Sequence, residues 1–422
     1  METTTDILML KNVQSTLPTK SVASQGQTLM VFGADGTPVA KIPASNAQPS
    51  DVGALATTLT LEQSSNPAID LINRGAAERY QGEMGGYLFF KSNSKWYAAK
   101  LNGGTWSKFA DGTPVTTAIE NACETFVRTP QCNFKASNKT LHFGGLSPLD
   151  GGKSFGQAPW HGAYELSLDG NNVAHSRPNV SPAHSKTMTE FWNRAQALDS
   201  KMGLAGYQFQ CMMEALFQAR YGNLNSQEVI GEGGQTSAWD SWRNVAMGLT
   251  KELGDGSGKV LYNDATVGNQ YEVKLFGFEG LWGKLWEVRP GIRFYMDDGV
   301  RKAVVYDGNI VSNTAEGRVI ENILQSSGGE YQTQKTLGEY WDALPKAVGG
   351  GSTTYYCDGY WASTGGELLV VGGDADYGAR CGLSYSASDD GFGYAYGDVG
   401  ARLAFYGQPE IVSGAELAAM IA

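Results

Sequence analysis

The alternation of apolar and polar positions changes character along the chain. Residues 1 to about 55 are rich in Ser, Thr, Ala and Gln. They hold one clear hairpin pattern, TLMVFGADGTPVAKI, turning at Asp35-Gly36. Such a segment buries little by itself and is expected to pack against other subunits. Residues 56–155 read as a β-rich domain. GYLFFKSNSKWYAAKLNGGTWSKFADGTPV alternates apolar and polar residues, with turns at Asn102-Gly103 and Asp111-Gly112. The hexapeptide ADGTPV stands at 34–39 and again at 110–115. Two copies point to reuse of a good turn, not to a solenoid.

After about residue 155 the period changes from two to that of a helix. Thr187 and Glu190 have capping-box spacing, and Phe191, Trp192, Ala195 and Leu198 recur at helical intervals. A break at Gly203 and Gly206 precedes a second helix, YQFQCMMEALFQARY, for which Gly222 is the C-cap. These apolar stripes are read as core. From 223 onward turn chemistry dominates, in GEGGQTS, GDGSGK, MDDGVR and VYDGNIV. The fold class expected is α+β. A compact domain over 156–422 follows a small β-rich N-terminal region, its loops held by buried Trp239, Trp242, Trp282 and Trp286.

Composition agrees with short strands and many turns. Of 422 residues 55 are glycine, 41% are hydrophobic and 11% aromatic, too apolar for a disordered chain. The formal net charge of −11 with no basic run argues against nucleic acid and anionic lipid as partners. Cys123, Cys132, Cys211, Cys357 and Cys381 form no CxxC and are odd in number. They read as mostly free buried thiols, with a Cys357–Cys381 bridge left open. METTTDILMLKNVQ lacks the basic start and apolar run of a signal peptide. No stretch approaches the roughly 18 apolar residues of a membrane span.

Two segments carry functional information. One is Phe276–Phe294, FGFEGLWGKLWEVRPGIRF. The other runs from Gly359 to Gly407. Within the second, Leu368–Val371 and Ala401–Phe405 read as buried strands. Residues 374–398 do not: they are almost entirely Asp, Tyr, Ser, Gly and Ala, and hold no Lys, Glu, Gln, Met or Trp. Tyr377, Tyr385, Phe392, Tyr394 and Tyr396 sit among small neighbours that offer them no cover. Tyr with Ser and Gly is paratope chemistry: rigid contact area at low entropic cost, with adaptable polar groups between.

The run Leu281-Trp282-Gly283-Lys284-Leu285-Trp286-Glu287 resembles the G-N-x-W-E-W element of C-type-lectin folds of the formylglycine-generating-enzyme type. Gly372-Gly373, Gly378-Ala379, Cys381-Gly382 and Val399-Gly400-Ala401-Arg402-Leu403 follow the same pattern. The likeness covers roughly residues 180–407. It looks nearest to the variable proteins of diversity-generating retroelements, which include phage tropism determinants. In that family the variable codons end in a pyrimidine. Such codons cannot encode the five residue types missing from 374–398. The resemblance implies exposed, variable receptor contacts at Asp374, Asp376, Tyr377, Arg380, Ser388, Asp390, Phe392, Tyr394, Tyr396 and Asp398. Tyr356, Asp358 and Tyr360 extend the patch, so the variable region spans about 356–400. It also implies a homotrimer in a virion tail, attached to tail components through residues 1–55 and facing a bacterial surface protein or glycan. Release by lysis would carry such a protein out without a signal peptide.

The same fold carries enzymes, so function has to be argued at the site. A formylglycine-generating oxidase needs paired cysteines, and Cys381 stands alone. His142, His161, His175 and His184 have no ligand spacing and read as surface or satisfied histidines. Glycan hydrolysis by Asp389-Asp390 with Asp398 would need two carboxyls facing across a cleft, and carboxylates on a solvated loop are not expected to gain the shifted pKa of an acid catalyst. The E-P-N and W-N-D calcium motifs are absent. The reading is a non-enzymatic binder with no cofactor and no metal. The alternatives are a metal-dependent oxidase of that type and a display protein of the bacterial surface.

Overall fold

The computed structural model describes residues 56–61 and 69–422, together with the backbones of three earlier strands, Ile7–Met9, Thr28–Phe32 and Pro38–Pro43. Thr28–Phe32 and Pro38–Pro43 pair antiparallel, as the hairpin pattern at 28–42 predicts. Their Asp35-Gly36 turn lies outside the described residues.

The described chain is mixed α and β, mostly strand, and the longest helix is Tyr207–Tyr221. Among the described residues no helix is long and apolar enough to cross a membrane. An eight-stranded sheet forms the base. Its order runs Met202–Leu204, Leu403–Phe405, Trp160–Gly162, Glu124–Arg128, Gly85–Ser92, Lys95–Asn102, Glu410–Val412, with Thr105–Phe109 paired to Lys95–Asn102. Strands from before residue 155 lie between strands from after it in this one sheet, so the division expected there is not a structural boundary. The physical reason is one shared core. Phe89 lies 4.9 Å from Phe126, 5.0 Å from Trp160 and 5.8 Å from Phe405, ring to ring. Neither half could bury these rings alone.

The two expected helices form as read. The first, α1 (Met188–Leu198), carries the full Thr187/Glu190 capping box. The second, α2 (Tyr207–Tyr221), ends on Gly222 in the left-handed conformation, at φ 65°. Helix α2 is buried on nearly every side and presents polar groups inward. Gln210 Nε2 donates to the Leu383 carbonyl at 2.6 Å, and Glu214 accepts from Ser384 Oγ at 2.8 Å. The helix therefore fixes, from below, the middle of the tyrosine-rich segment.

A seven-stranded mixed sheet carries that segment. Its order is Asp342–Val348, Ser327–Leu337, Gly359–Ala362, Ser386–Ser388, Val370–Val371, Trp286–Val288, Val399–Gly400. The two informative segments of the sequence thus meet in one sheet, Trp286 and Glu287 lying opposite Val399 and Gly400 in parallel register. Trp242, Trp282 and Trp286 are buried as expected; Trp239 is only half-buried, beneath the Arg243 guanidinium at 4.6 Å. All five cysteines are buried and free, so Cys357 and Cys381 are unbridged.

Candidate functional site: an acidic aromatic cleft between two loops

Strand alternation divides the seven-stranded sheet into two faces. Register aligns Glu287, Val371, Ser386 and Tyr360 on one face. It aligns Val288, Val370, Ala387 and Trp361 on the other, and Trp286, two residues from Val288, joins these. The first face is core. The second is the floor of a cleft of about 140 Å³.

Two loops rise beside this floor. One is the 3₁₀ turn Ala375–Arg380, opened by Asp374, whose carboxylate accepts from the Asp376 N–H at 2.9 Å. The other is 389–397, pinned where the Glu367 and Leu368 N–H groups donate to the Asp390 carbonyl at 2.8 and 2.9 Å. Trp286, Trp361, Tyr377 and Tyr394 wall the cleft, and the carboxylates of Asp389, Asp390 and Asp398 face it. Beside it the Tyr394 and Tyr396 rings stack at 6.0 Å and 5°, and Tyr396 is 64% exposed.

The expected contact residues therefore separate. Asp376, Arg380 and Tyr396 are exposed, and Tyr377, Asp390, Phe392 and Tyr394 are half-buried at the surface. The other six are buried, contrary to expectation, each for a local reason. Tyr360 Oη pairs with Ser388 Oγ at 2.5 Å, and Arg301 donates to the Ser388 carbonyl and to Tyr360 Oη, so both residues belong to an inward polar lock. Asp358 accepts from the Ser384 N–H at 2.8 Å beneath Gly382, where a Cβ would strike its carboxylate. The Tyr356 ring lies 5.0 Å from Lys335 Nζ in the core. Asp374 caps its turn from beneath. The Asp398 carbonyl holds the Trp286 N–H at 2.8 Å, while its side chain lies at the base of the cleft. Tyr385 is also buried, 4.5 Å from Trp286, with the Trp361 indole donating to its hydroxyl at 2.9 Å. Gly373, at φ 77°, makes room for that ring, since a Cβ would come within 2.4 Å of it.

Trp361 and Asp389 escape the sequence reading of the site. The signal available for Trp361 was its place beside Tyr360: in a strand, an inward Tyr360 turns Trp361 outward.

Burial and mutual repulsion set the electrostatics. Asp390 is pushed up to about 6 by burial and by Asp389 and Asp398. Asp374 is pushed up to about 7 by burial, against the Asp376 N–H bond, with Asp398 and Asp376 adding to the rise and Arg243 opposing it. Burial also raises Asp389 and Asp398, which Arg301 and Arg243 respectively offset.

A pH prediction follows from Asp374. Its folded pKa lies above the ordinary 3.8, so its contribution to stability is fully present below 3.8 and is lost as pH rises through about 7. Asp374→Asn keeps an acceptor for the Asp376 N–H and removes the charge. Chemical denaturation should find the variant more stable than the parent by about 2–4 kcal/mol at pH 8 and equal to it near pH 4. A gain independent of pH would contradict the assignment.

Among the described residues no three His, Cys, Asp or Glu side chains converge as metal ligands. His161 pairs with Thr129 Oγ1 at 2.8 Å and stacks on Phe209, and His175 pairs with Glu124 at 2.7 Å. The Cys381 thiol donates to the Asp374 carbonyl at 2.9 Å, and burial pushes its pKa up.

No protein-family model matches the chain, and no curated protein matches it. Solved structures that are distantly similar include two variants of one protein. The Major Tropism Determinant U1 variant has a TM-score of 0.29 at 12% identity, covering 91% of this chain and 96% of its own. The Major Tropism Determinant M1 variant has a TM-score of 0.28 at 11% identity, covering 91% and 95%.

Proposed function

We propose that this chain is a non-enzymatic receptor-binding protein of a phage tail, and that it contacts a bacterial surface protein or glycan through the loops 376–380 and 389–397. The observation that carries the binding role is the contrast within one segment. Its inward residues are locked by Arg301, Glu214 and Gln210, while its outward residues are tyrosines and aspartates beside an open cleft. A rigid base under amphipathic side chains limits the entropy lost on binding. The phage setting, the lectin-type fold, the homotrimer and the tail attachment through residues 1–55 rest on the sequence resemblance. Several copies on one particle would convert a modest single-site affinity into firm attachment. Oxidase chemistry at Cys381 is disfavoured by its buried, carbonyl-bonded thiol.

The test uses fluorescently labelled protein on a panel of bacterial strains. The parent should bind cells of at least one strain. Tyr396→Ala should leave stability within about 0.5 kcal/mol, because the ring is mostly exposed. The Tyr394→Ala/Tyr396→Ala double variant should stay folded and lose cell binding at least tenfold. Parent-level binding by the folded double variant, or no binding by the parent to any strain, would overturn the reading.

A further inference from the structure

We propose that the cleft between the two loops receives a primary ammonium group of the receptor, such as a lysine side chain or an amino sugar; this rests on the receptor-binding reading and names the chemistry at its centre. Four aromatic rings wall the cleft, and a cation against such faces is attracted by their quadrupoles, more strongly when desolvated. Three carboxylates share the same space. Arg243 offsets Asp398 and Arg301 offsets Asp389, but the charges acting on Asp390 are both negative. The cleft thus holds one carboxylate in need of a counter-charge.

A second observation selects the kind of cation. Asp398 is only 9% exposed, and its Oδ1 lies buried with no hydrogen-bond partner. The Tyr394 ring stands beside this carboxylate in the cleft lining. An unfilled buried acceptor calls for a donor. A quaternary ammonium has no N–H to give. A guanidinium presents a flat fork suited to a single carboxylate. A primary ammonium has three donors that rotate, matching carboxylates spread around one point. At about 140 Å³ the cleft admits the head and the last methylenes of such a chain, with Val370 and Ala387 as an apolar floor for the stem.

The test follows the Trp361 indole N–H by NMR, assigned through Trp361→Phe, while full-length protein is titrated with Nα-acetyl-lysine methylamide. Saturable shifts are expected. The neutral probe Nα-acetyl-norleucine methylamide, which keeps the apolar stem and lacks the ammonium, should give none, and the trimethyl-lysine probe should bind at least tenfold more weakly. Glucosamine against N-acetylglucosamine forms the second arm, and only the free amine should bind. Asp398→Asn and Asp390→Asn, both near-isosteric, should each weaken the lysine probe at least tenfold. Shifts with norleucine, equal binding of the trimethyl probe, undiminished binding in both variants, or no shift with either amine would overturn the proposal. The two readings fail separately. A parent that binds cells but not the amines loses only the ammonium site. A parent that binds the amines but no cells loses the receptor reading.

Discussion

Arg402→Ala is expected to lower the unfolding free energy by about 3–5 kcal/mol. Arg402 is fully buried. Its Nε donates to Glu287 at 3.0 Å, its Nη1 to the carbonyls of Gly162 and Ala163 at 3.0 and 2.9 Å, and its Nη2 to the Glu279 carbonyl at 2.7 Å. One side chain therefore joins the base sheet, through 162–163, to the cleft-bearing sheet, through 287. Burial opposes ionisation of Glu287, yet Arg402 and Arg289 beside it hold its carboxyl below the usual range. Without Arg402, Glu287 keeps Arg289, at 2.7 Å, and the carbonyls of Gly162, Ala163 and Glu279 each lose one donor, although Ala163 still accepts from the Glu279 N–H at 2.9 Å. Urea denaturation reads the loss directly; a change under about 1 kcal/mol would mean that apolar packing alone joins the sheets.

Trp286→Ala should cost a similar amount, about 3–5 kcal/mol, and should also abolish the cleft. The ring packs 4.5 Å from Tyr385 and 5.5 Å from Tyr377, so its removal leaves both tyrosines without their shared wall. Trp282→Ala should destabilise comparably by another route. Its indole donates to the Gly231 carbonyl at 3.0 Å, and it does not line the cleft. The pair separates scaffold from site. Trp282→Tyr and Trp286→Phe, which keep aromatic bulk, should fold, and only Trp286→Phe should weaken cell binding. If both alanine variants fold with parental stability and lose only binding, the division drawn between core and contact surface is wrong.

The parts legible in the sequence are those set by neighbours in the chain. The Thr187/Glu190 box and Gly222 mark the two helices because caps act within one turn. The Trp282–Glu287 run and Arg402 stand out through their resemblance to a known fold pattern, which is also local in the chain. The division near residue 155 misled because two strands that tie its two sides together, Trp160–Gly162 and Glu410–Val412, have three residues each, too few to display a period. The second of them pairs with a strand remote in sequence, Glu410 lying opposite Tyr97. Inside the tyrosine-rich segment the small neighbours of Tyr385 and Ser388 implied exposure. Their cover comes instead from Trp286, Trp361 and Arg301, all remote in sequence. Composition identified the kind of surface; alternation within a three-residue strand decided which side chains reach it.

The most direct test of the contact surface is hydrogen–deuterium exchange on the protein, free and bound to envelope vesicles from a strain that it recognises. Protection confined to peptides covering 376–380 and 389–397, with the core strands unchanged, is the predicted footprint. Other apolar groups are exposed, including Leu261 on the 258–275 hairpin and Met296, Val300 and Val319 on the 292–320 sheet. Protection centred on either of those, with the two loops exchanging as in the free protein, would contradict the account.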